Sequence, residues 1–172
     1  ESEPDHAAYI SGGQWNLSAG TDTEILPAWV KYWAKGFSDK FVEIGRQDDF
    51  FILSRNAWAG TPANGAALWS GDIGSSFNEL KTAVMAGQGA AFSGIPLWTT
   101  DIGGYTGGDP ASATFQELIV RWFQFGAFCP LFRLHGHRHG GPPPNQCGPT
   151  NGDNEVWNLA KDPEHYAAIQ AV

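Results

Sequence analysis

At 172 residues the chain is long enough for one ordinary domain, and 42% hydrophobic against 16% charged residues excludes a disordered chain. Ten Lys and Arg against eighteen Asp and Glu give a net charge of −8, which argues against a nucleic-acid partner, since phosphate binding draws on cationic side chains. No run of about 20 apolar residues exists, so no membrane-spanning helix is expected.

Residues 1–24 are turn-rich, with Gly12, Gly13 and Gly20. From Glu24 to Arg46 apolar residues recur at helical spacing: Ile25, Trp29, Val30, Trp33, Phe37, Phe41 and Ile44. Phe50-Phe51-Ile52-Leu53 is a short, continuous apolar run of the kind a strand buried on both faces shows, and Ala66-Ala67-Leu68-Trp69 is a second. Ser76-Phe77-Asn78-Glu79 reads as a capping box that opens a helix to about Gln88. Ala90 to Trp98 is a third strand candidate. After a Gly-rich loop, Asp109-Pro110 leads into a helix with Leu118, Ile119, Trp122 and Phe123 on one face. Phe128 to Leu134 is the fourth strand candidate, and a Gly/Pro-rich loop, about 136–154, leads to a helix from about Pro163. The alternation of apolar strands with helices predicts an α/β fold with a parallel sheet, as one domain over 1–172, without an internal repeat or a linker.

Two cysteines do not define a disulfide framework. Cys129 sits in an apolar run and reads as a small buried hydrophobe, whereas Cys147 lies in a Pro/Gly-rich loop; a bond between them is left open. Asn16-Leu17-Ser18 fits a glycosylation sequon, a triplet common by chance.

Polar residues gather where the strands end. The first ends in Ser54-Arg55, the second in Trp69-Ser70-Gly71-Asp72, the third in Thr99-Thr100-Asp101 and the fourth in Arg133-Leu134-His135. In an α/β barrel this is the functional end. Taken singly, each has a plainer reading: Asp72 as a helix cap, Asp101 as an Asx-turn before Gly103-Gly104. Four in succession predict one pocket. Its chemistry suits a sugar, because Arg offers a fixed fork of donors, Asp accepts from two hydroxyls and His does either. Trp69 and Trp98 offer flat faces for the C–H side of a pyranose. The glycines of 103–108 lack the Lys of a phosphate-binding loop. His135, His137 and His139 alternate, but Gly136 and Gly140 make this stretch a loop, so no metal site is expected.

Five segments resemble glycoside hydrolase family 31 in order and spacing. They are Ser54-Arg55-Asn56-Ala57-Trp58-Ala59-Gly60, Leu68-Trp69-Ser70-Gly71-Asp72, Gly94-Ile95-Pro96-Leu97-Trp98-Thr99-Thr100-Asp101-Ile102-Gly103-Gly104-Tyr105, Arg121 to Phe128, and Phe132-Arg133-Leu134-His135-Gly136. The match runs over roughly 50–160. The resemblance implies a (β/α)8 TIM barrel acting on α-glycosides without a cofactor or metal. It implies Asp72 as general acid/base, and Arg55, Trp69, Asp101, Tyr105 and His135 lining the subsite for the terminal sugar. Trp98 is added from its flat face alone.

The family's nucleophile is an Asp, often in the pattern Asp-x-x-Glu-Pro. Glu1-Ser2-Glu3-Pro4 would complete that pattern if an Asp preceded Glu1, and Asp5 is out of register to replace it. Thr61-Pro62-Ala63-Asn64 departs from the basic or aromatic pair common in relatives. Four strand candidates therefore suggest half a barrel, strands five to eight, with the rest of the polypeptide needed to close it. The expected reaction is double displacement with retention, Asp72 carrying a pKa raised by burial and a neighbouring carboxylate. The expected partner is an oligosaccharide or glycoside ending in α-linked xylose or glucose, xylose slightly ahead, and the 172 residues alone are expected to be inactive. Two alternatives stand: a non-catalytic carbohydrate-binding relative of the same fold, and a different barrel enzyme acting on sugar phosphates, which the lack of strand-end Lys disfavours.

Overall fold

The computed structural model describes residues 16–17, 20–21, 28–138, 156–160 and 162–172. The Glu1–Pro4 pattern, Asp5, Ser18 of the sequon, His139 and Cys147 lie outside the described residues. The chain forms two compact units, one containing the described residues to Trp69 and Ala90–Leu97, the other Ser70–Gly89 and the described residues from Trp98 onward.

In the first unit, β1 (Asn16–Leu17) and β2 (Gly20–Thr21) pair antiparallel. Helix α1 (Trp29–Glu43) follows from the apolar spacing, with Val30 and Ala34 buried. The stacked rings of Phe41 and Phe50, 4.5 Å between centroids, tie α1 to the approach to β3 (Ile52–Ser54). A 3₁₀ turn at Thr61–Asn64 leads into β4 (Ala66–Trp69), and β3 pairs with β4 in parallel, Ile52 opposite Ala66 and Ser54 opposite Leu68. Leu68 N continues the ladder by donating to Leu97 O at 2.9 Å. The small core of this unit is Ala34, Ile52 and Ala66 with Trp33 and Phe50 against it.

Helix α2 spans Phe77–Phe92. The Ser76 hydroxyl accepts from Glu79 N at 3.2 Å, half of the expected capping box. The helix runs four residues past Gln88 and takes Ala90-Ala91-Phe92 from the expected third strand. Its end is set by Gly94, whose φ of +79° suits no side-chain-bearing residue: Gly94 N donates to Ala91 O and Ile95 N to Ala90 O, a Schellman motif. What remains of the third strand is β5, Trp98–Thr99.

The second unit holds β5, α3 (Ala113–Gly126), α4 (Val156–Leu159) and α5 (Pro163–Gln170). Ser112 caps α3 by accepting from Phe115 N, and Asp162 caps α5 by accepting from Glu164 N and His165 N. The predicted face of α3 is buried, Leu118, Ile119, Trp122 and Phe123 joining Leu80, Ile102 and Ile169 in the main core. The expected fourth strand, Phe128–Leu134, is not one. Phe128 N and Cys129 N donate back to Phe125 O and Gly126 O, prolonging the end of α3 as turns, and Pro130 has no N–H to give a ladder. Phe128 is 91% exposed, so its run was never a two-sided core strand. In place of a strand there are isolated parallel bridges, Leu134 to Ile102 and His137 to Thr106. Among the described residues, no helix is long and apolar enough to cross a membrane.

Candidate active site

Three segments of the second unit lie side by side in parallel. Residues 70–75 are joined to 99–106 where Ser70 N donates to Thr99 O, Tyr105 N and Thr106 N donate to Ile73 O, and Ser75 N donates to Thr106 O. The 99–106 segment is joined to 131–138 where the Thr99 hydroxyl donates to Leu131 O, Ile102 N to Arg133 O and His137 N to Tyr105 O. These bonds put Asp72, Asp101, Tyr105 and His135 on adjacent parallel segments. The rings of Tyr105 and His135 are 5.4 Å apart, tilted by 33°.

Asp101 is the buried member, with no exposed surface. Its Oδ1 is in an ion pair with the Arg133 guanidinium, and its Oδ2 is buried with no hydrogen-bond partner among the described residues. Burial pushes its carboxyl above the ordinary Asp value; the Arg133 and His135 charges pull it down, and Asp72 pushes it up again. The direction means that desolvation outweighs the attraction of Arg133, as is common for buried pairs. Behind it, Trp122 Nε1 donates to the Thr100 hydroxyl at 2.7 Å, anchoring the strand end on α3.

The expected burial of Asp72 is corrected: Asp72 is exposed in this chain, and the buried carboxylate is Asp101. The plainer reading of Asp72 as a helix cap also falls away, because α2 starts at Phe77 and Ser76 fills the cap position. Asp101 likewise spends its Oδ1 on Arg133; the turn that follows it is closed by backbone, Gly104 N donating to Asp101 O at 2.8 Å.

In the first unit, Arg55 and Trp69 form their own pair, the guanidinium carbon 5.5 Å from the centroid of the indole ring. Ser54, buried beside them in sequence, donates to Asn56 O at 2.8 Å and so shapes the turn that carries Arg55. Trp98 is placed differently from the other candidates. Its indole is buried against α2, the Nε1 only 2.7 Å from where a Cβ on Gly87 would sit. Strand alternation explains this: Trp98 and Thr100 share the face toward the helices, while Asp101 takes the opposite one.

Two residues escaped the sequence reading. Arg133 was seen only as part of a polar strand end, yet it is the cation paired with Asp101. Arg138 is 2% exposed and donates to the carbonyls of Ile102, Gly103 and Gly104 on the neighbouring segment, to His135 O on its own and to the Ser75 hydroxyl. The signal for it was present in Gly103 and Gly136, since a Cβ on either would come within 2.8 Å of its Nη2.

Residues 5–169 match the model of the glycosyl hydrolases family 31 TIM-barrel domain. The chain is 39% identical over 138 residues to an uncharacterized family 31 glucosidase of Pseudescherichia vulneris, covering 80% of this chain and 26% of the relative. It is 45% identical over 85 residues to an alpha-xylosidase of Saccharolobus solfataricus, covering 49% of this chain and 12% of the relative. Among solved structures, a family 31 alpha-xylosidase from a soil metagenome, complexed with xylose, superposes with a TM-score of 0.73 at 37% identity, over 91% of this chain and 24% of that one. A Flavobacterium johnsoniae family 31 dextranase complexed with glucose superposes with a TM-score of 0.70 at 28% identity, over 91% of this chain and 19% of that one. The chain thus spans about a quarter or less of these relatives. The matched region and the identities together place this chain in glycosyl hydrolase family 31, within that family's TIM-barrel domain.

Proposed function

We propose that the chain contributes strands five to eight of a (β/α)8 barrel in a retaining, exo-acting α-glycosidase that releases terminal α-linked xylose or glucose. The observation that carries the reading is Asp101. A buried carboxylate whose ionisation feels Asp72 and His135, and whose second oxygen has no partner among the described residues, is an acceptor suited to a sugar hydroxyl. Tyr105 follows on the same segment and His135 stands on the neighbouring one, their rings 5.4 Å apart; within the first unit, Arg55 with Trp69 offers a cation and a ring of the kind that suits a pyranose. Xylose is put ahead of glucose because the similarity to proteins named alpha-xylosidase is high.

Asp72 is the general acid/base. It sits exposed on the turn after β4, where it can give a proton to the leaving oxygen and later take one from the attacking water. The nucleophile, in the pattern Asp-x-x-Glu-Pro, is an Asp immediately before Glu1, and the rest of the polypeptide closes the barrel. The 172 residues alone then hydrolyse no aryl α-glycoside, because an acid by itself contributes only about 10²–10⁴-fold. Turnover by the purified 172-residue chain would place the nucleophile inside it.

Asp72→Ala in the full-length enzyme tests the acid/base role. Loss on a natural disaccharide should be on the order of 10²–10⁴-fold, while an α-xylosyl or α-glucosyl fluoride, whose leaving group needs no proton, should lose far less. Azide should accelerate the mutant and yield an α-glycosyl azide. Equal loss on both substrates without azide rescue would remove Asp72 from this role.

A further inference from the structure

Arg138 is a cation in an unusual place. It is 2% exposed, and its hydrogen-bond partners among the described residues are uncharged: Nη1 donates to Ser75 Oγ at 3.2 Å, to Gly103 O at 3.1 Å and to Gly104 O at 2.7 Å, and Nη2 donates to Ile102 O at 3.3 Å and to His135 O at 3.4 Å. Its guanidinium carbon lies 5.1 Å from the centre of the Phe115 ring. Those acceptors belong to all three parallel segments of the candidate site: the end of the Asp72 turn, the turn after Asp101 and the residue His135 itself.

Only a planar fork of donors can serve so many acceptors at once. The surrounding glycines are shaped to admit it. At Gly103 (φ +91°) a Cβ would lie 2.8 Å from Arg138 Nη2 and 2.7 Å from Ile119 Cδ1. At Gly136 a Cβ would lie 2.7 Å from Nη2 and 2.6 Å from Gly104 O. At Gly104 a Cβ would strike the backbone of Gly74 at 2.6 Å. The three glycines and the guanidinium form one plug under the strand ends. Burial lowers the Arg138 pKa to about 10, with Asp101 opposing, so the side chain is still a cation at neutral pH.

We propose that Arg138 is a positioning residue for the sugar site: its guanidinium clamps the turn after Asp101 to the Ser75 hydroxyl and the His135 carbonyl, and so sets where Asp101, Tyr105 and His135 hold their polar atoms. This rests on the reading of Asp101 and His135 as sugar ligands. Catalytic geometry is sensitive to shifts of about an ångström, which cost on the order of 10²-fold. A clamp on three carbonyls of one turn acts on that scale without touching substrate.

The test is a double-mutant cycle with a second readout that is blind to activity, made in the full-length enzyme with an aryl α-xyloside. Asp101→Ala and Arg138→Gln should each lower kcat/KM by about 10- to 100-fold. The double variant should lose little beyond the worse single one, because a misplaced Asp101 and a missing Asp101 are the same defect. Amide hydrogen exchange over 102–106 should speed up at least about tenfold in Arg138→Gln, with 61–64 as the unchanged control. Arg138→Lys should recover only part of kcat/KM, since an ammonium lacks the fork, and it replaces Arg138→Gln if that variant does not fold. Unchanged exchange over 102–106 overturns the clamp. Faster exchange with losses that multiply in the double variant overturns the positioning role and leaves a structural one. Full activity in Asp101→Ala overturns the proposal at its base, the sugar-ligand reading, and faster exchange in Arg138→Gln would then show that the clamp itself was not at fault.

Discussion

Asp72 is exposed on the turn after β4, which is bonded to the next segment before it, Ser70 N donating to Thr99 O, and after it, where Ile73 O accepts from Tyr105 N and Thr106 N. Asp101 follows β5 and is wholly buried, paired with Arg133, backed by the Trp122–Thr100 hydrogen bond and followed by a turn that Arg138 holds by its carbonyls. Both turns end a parallel strand in a carboxylate. The difference in burial suits the two roles proposed for them: a proton donor and acceptor needs access to the leaving group and to water, whereas a carboxylate that holds a hydroxyl needs a fixed position and a dry surrounding. Fixing Asp101 costs solvation, and its raised pKa records that cost.

The largest break in this comparison is expected at the glycines that shape the two turns. Gly104→Ala puts a Cβ 2.6 Å from Gly74 O and 2.8 Å from Ser75 Cα at a φ of +78°. The atoms it meets are backbone, which cannot rotate aside as a side chain can, so a loss of about 2–5 kcal/mol is expected. Gly71→Ala, on the Asp72 turn, also meets a positive φ, +74°, and should cost about 1–2 kcal/mol from the backbone conformation alone. Urea midpoints of the two variants, read side by side, check this order; equal losses would mean that the two turns are held alike.

A smaller effect sharpens the contrast in charge. Folding raises the Asp101 pKa, so the native state favours the protonated carboxyl. Its contribution to stability is therefore fully present below the unfolded pKa and is lost as pH rises through the folded one. Asp101→Asn keeps the shape and removes the titration. The variant should gain stability relative to the parent as pH climbs from the ordinary Asp range toward neutrality, while losing kcat/KM. Unfolding midpoints of both proteins across that window give the answer. A parent that gains on the variant with rising pH would show that Arg133 outweighs burial.

Asp72, Asp101 and His135 could be named as candidates from the sequence because strand-end polarity is a local property of the chain, and Tyr105 through the family resemblance. The apolar spacing of α1, the Ser76 cap of α2 and the continuous run of β4 are local too, and they appear where the residues place them. Misreadings came where one apolar run served two structures. Ala90-Ala91-Phe92 looks like a strand, but Gly94 closes a helix over it with a Schellman pair of hydrogen bonds. Phe128 to Leu134 looks like a strand, but its first amide groups are already spent on the end of α3.

Which residue types stand at which strand ends follows from residue order alone, through side-chain chemistry and periodicity. Which of them is buried and which exposed follows from the packing of the folded chain. Burial depends on what packs from distant parts of the chain: α3 behind Thr100, Arg133 beside Asp101, Arg138 under Gly103 and Gly104. These partners lie 22 to 36 positions away along the chain, beyond the reach of any local pattern. The same distance explains why two carboxylates with similar sequence settings differ in solvation, and so in the chemistry open to each.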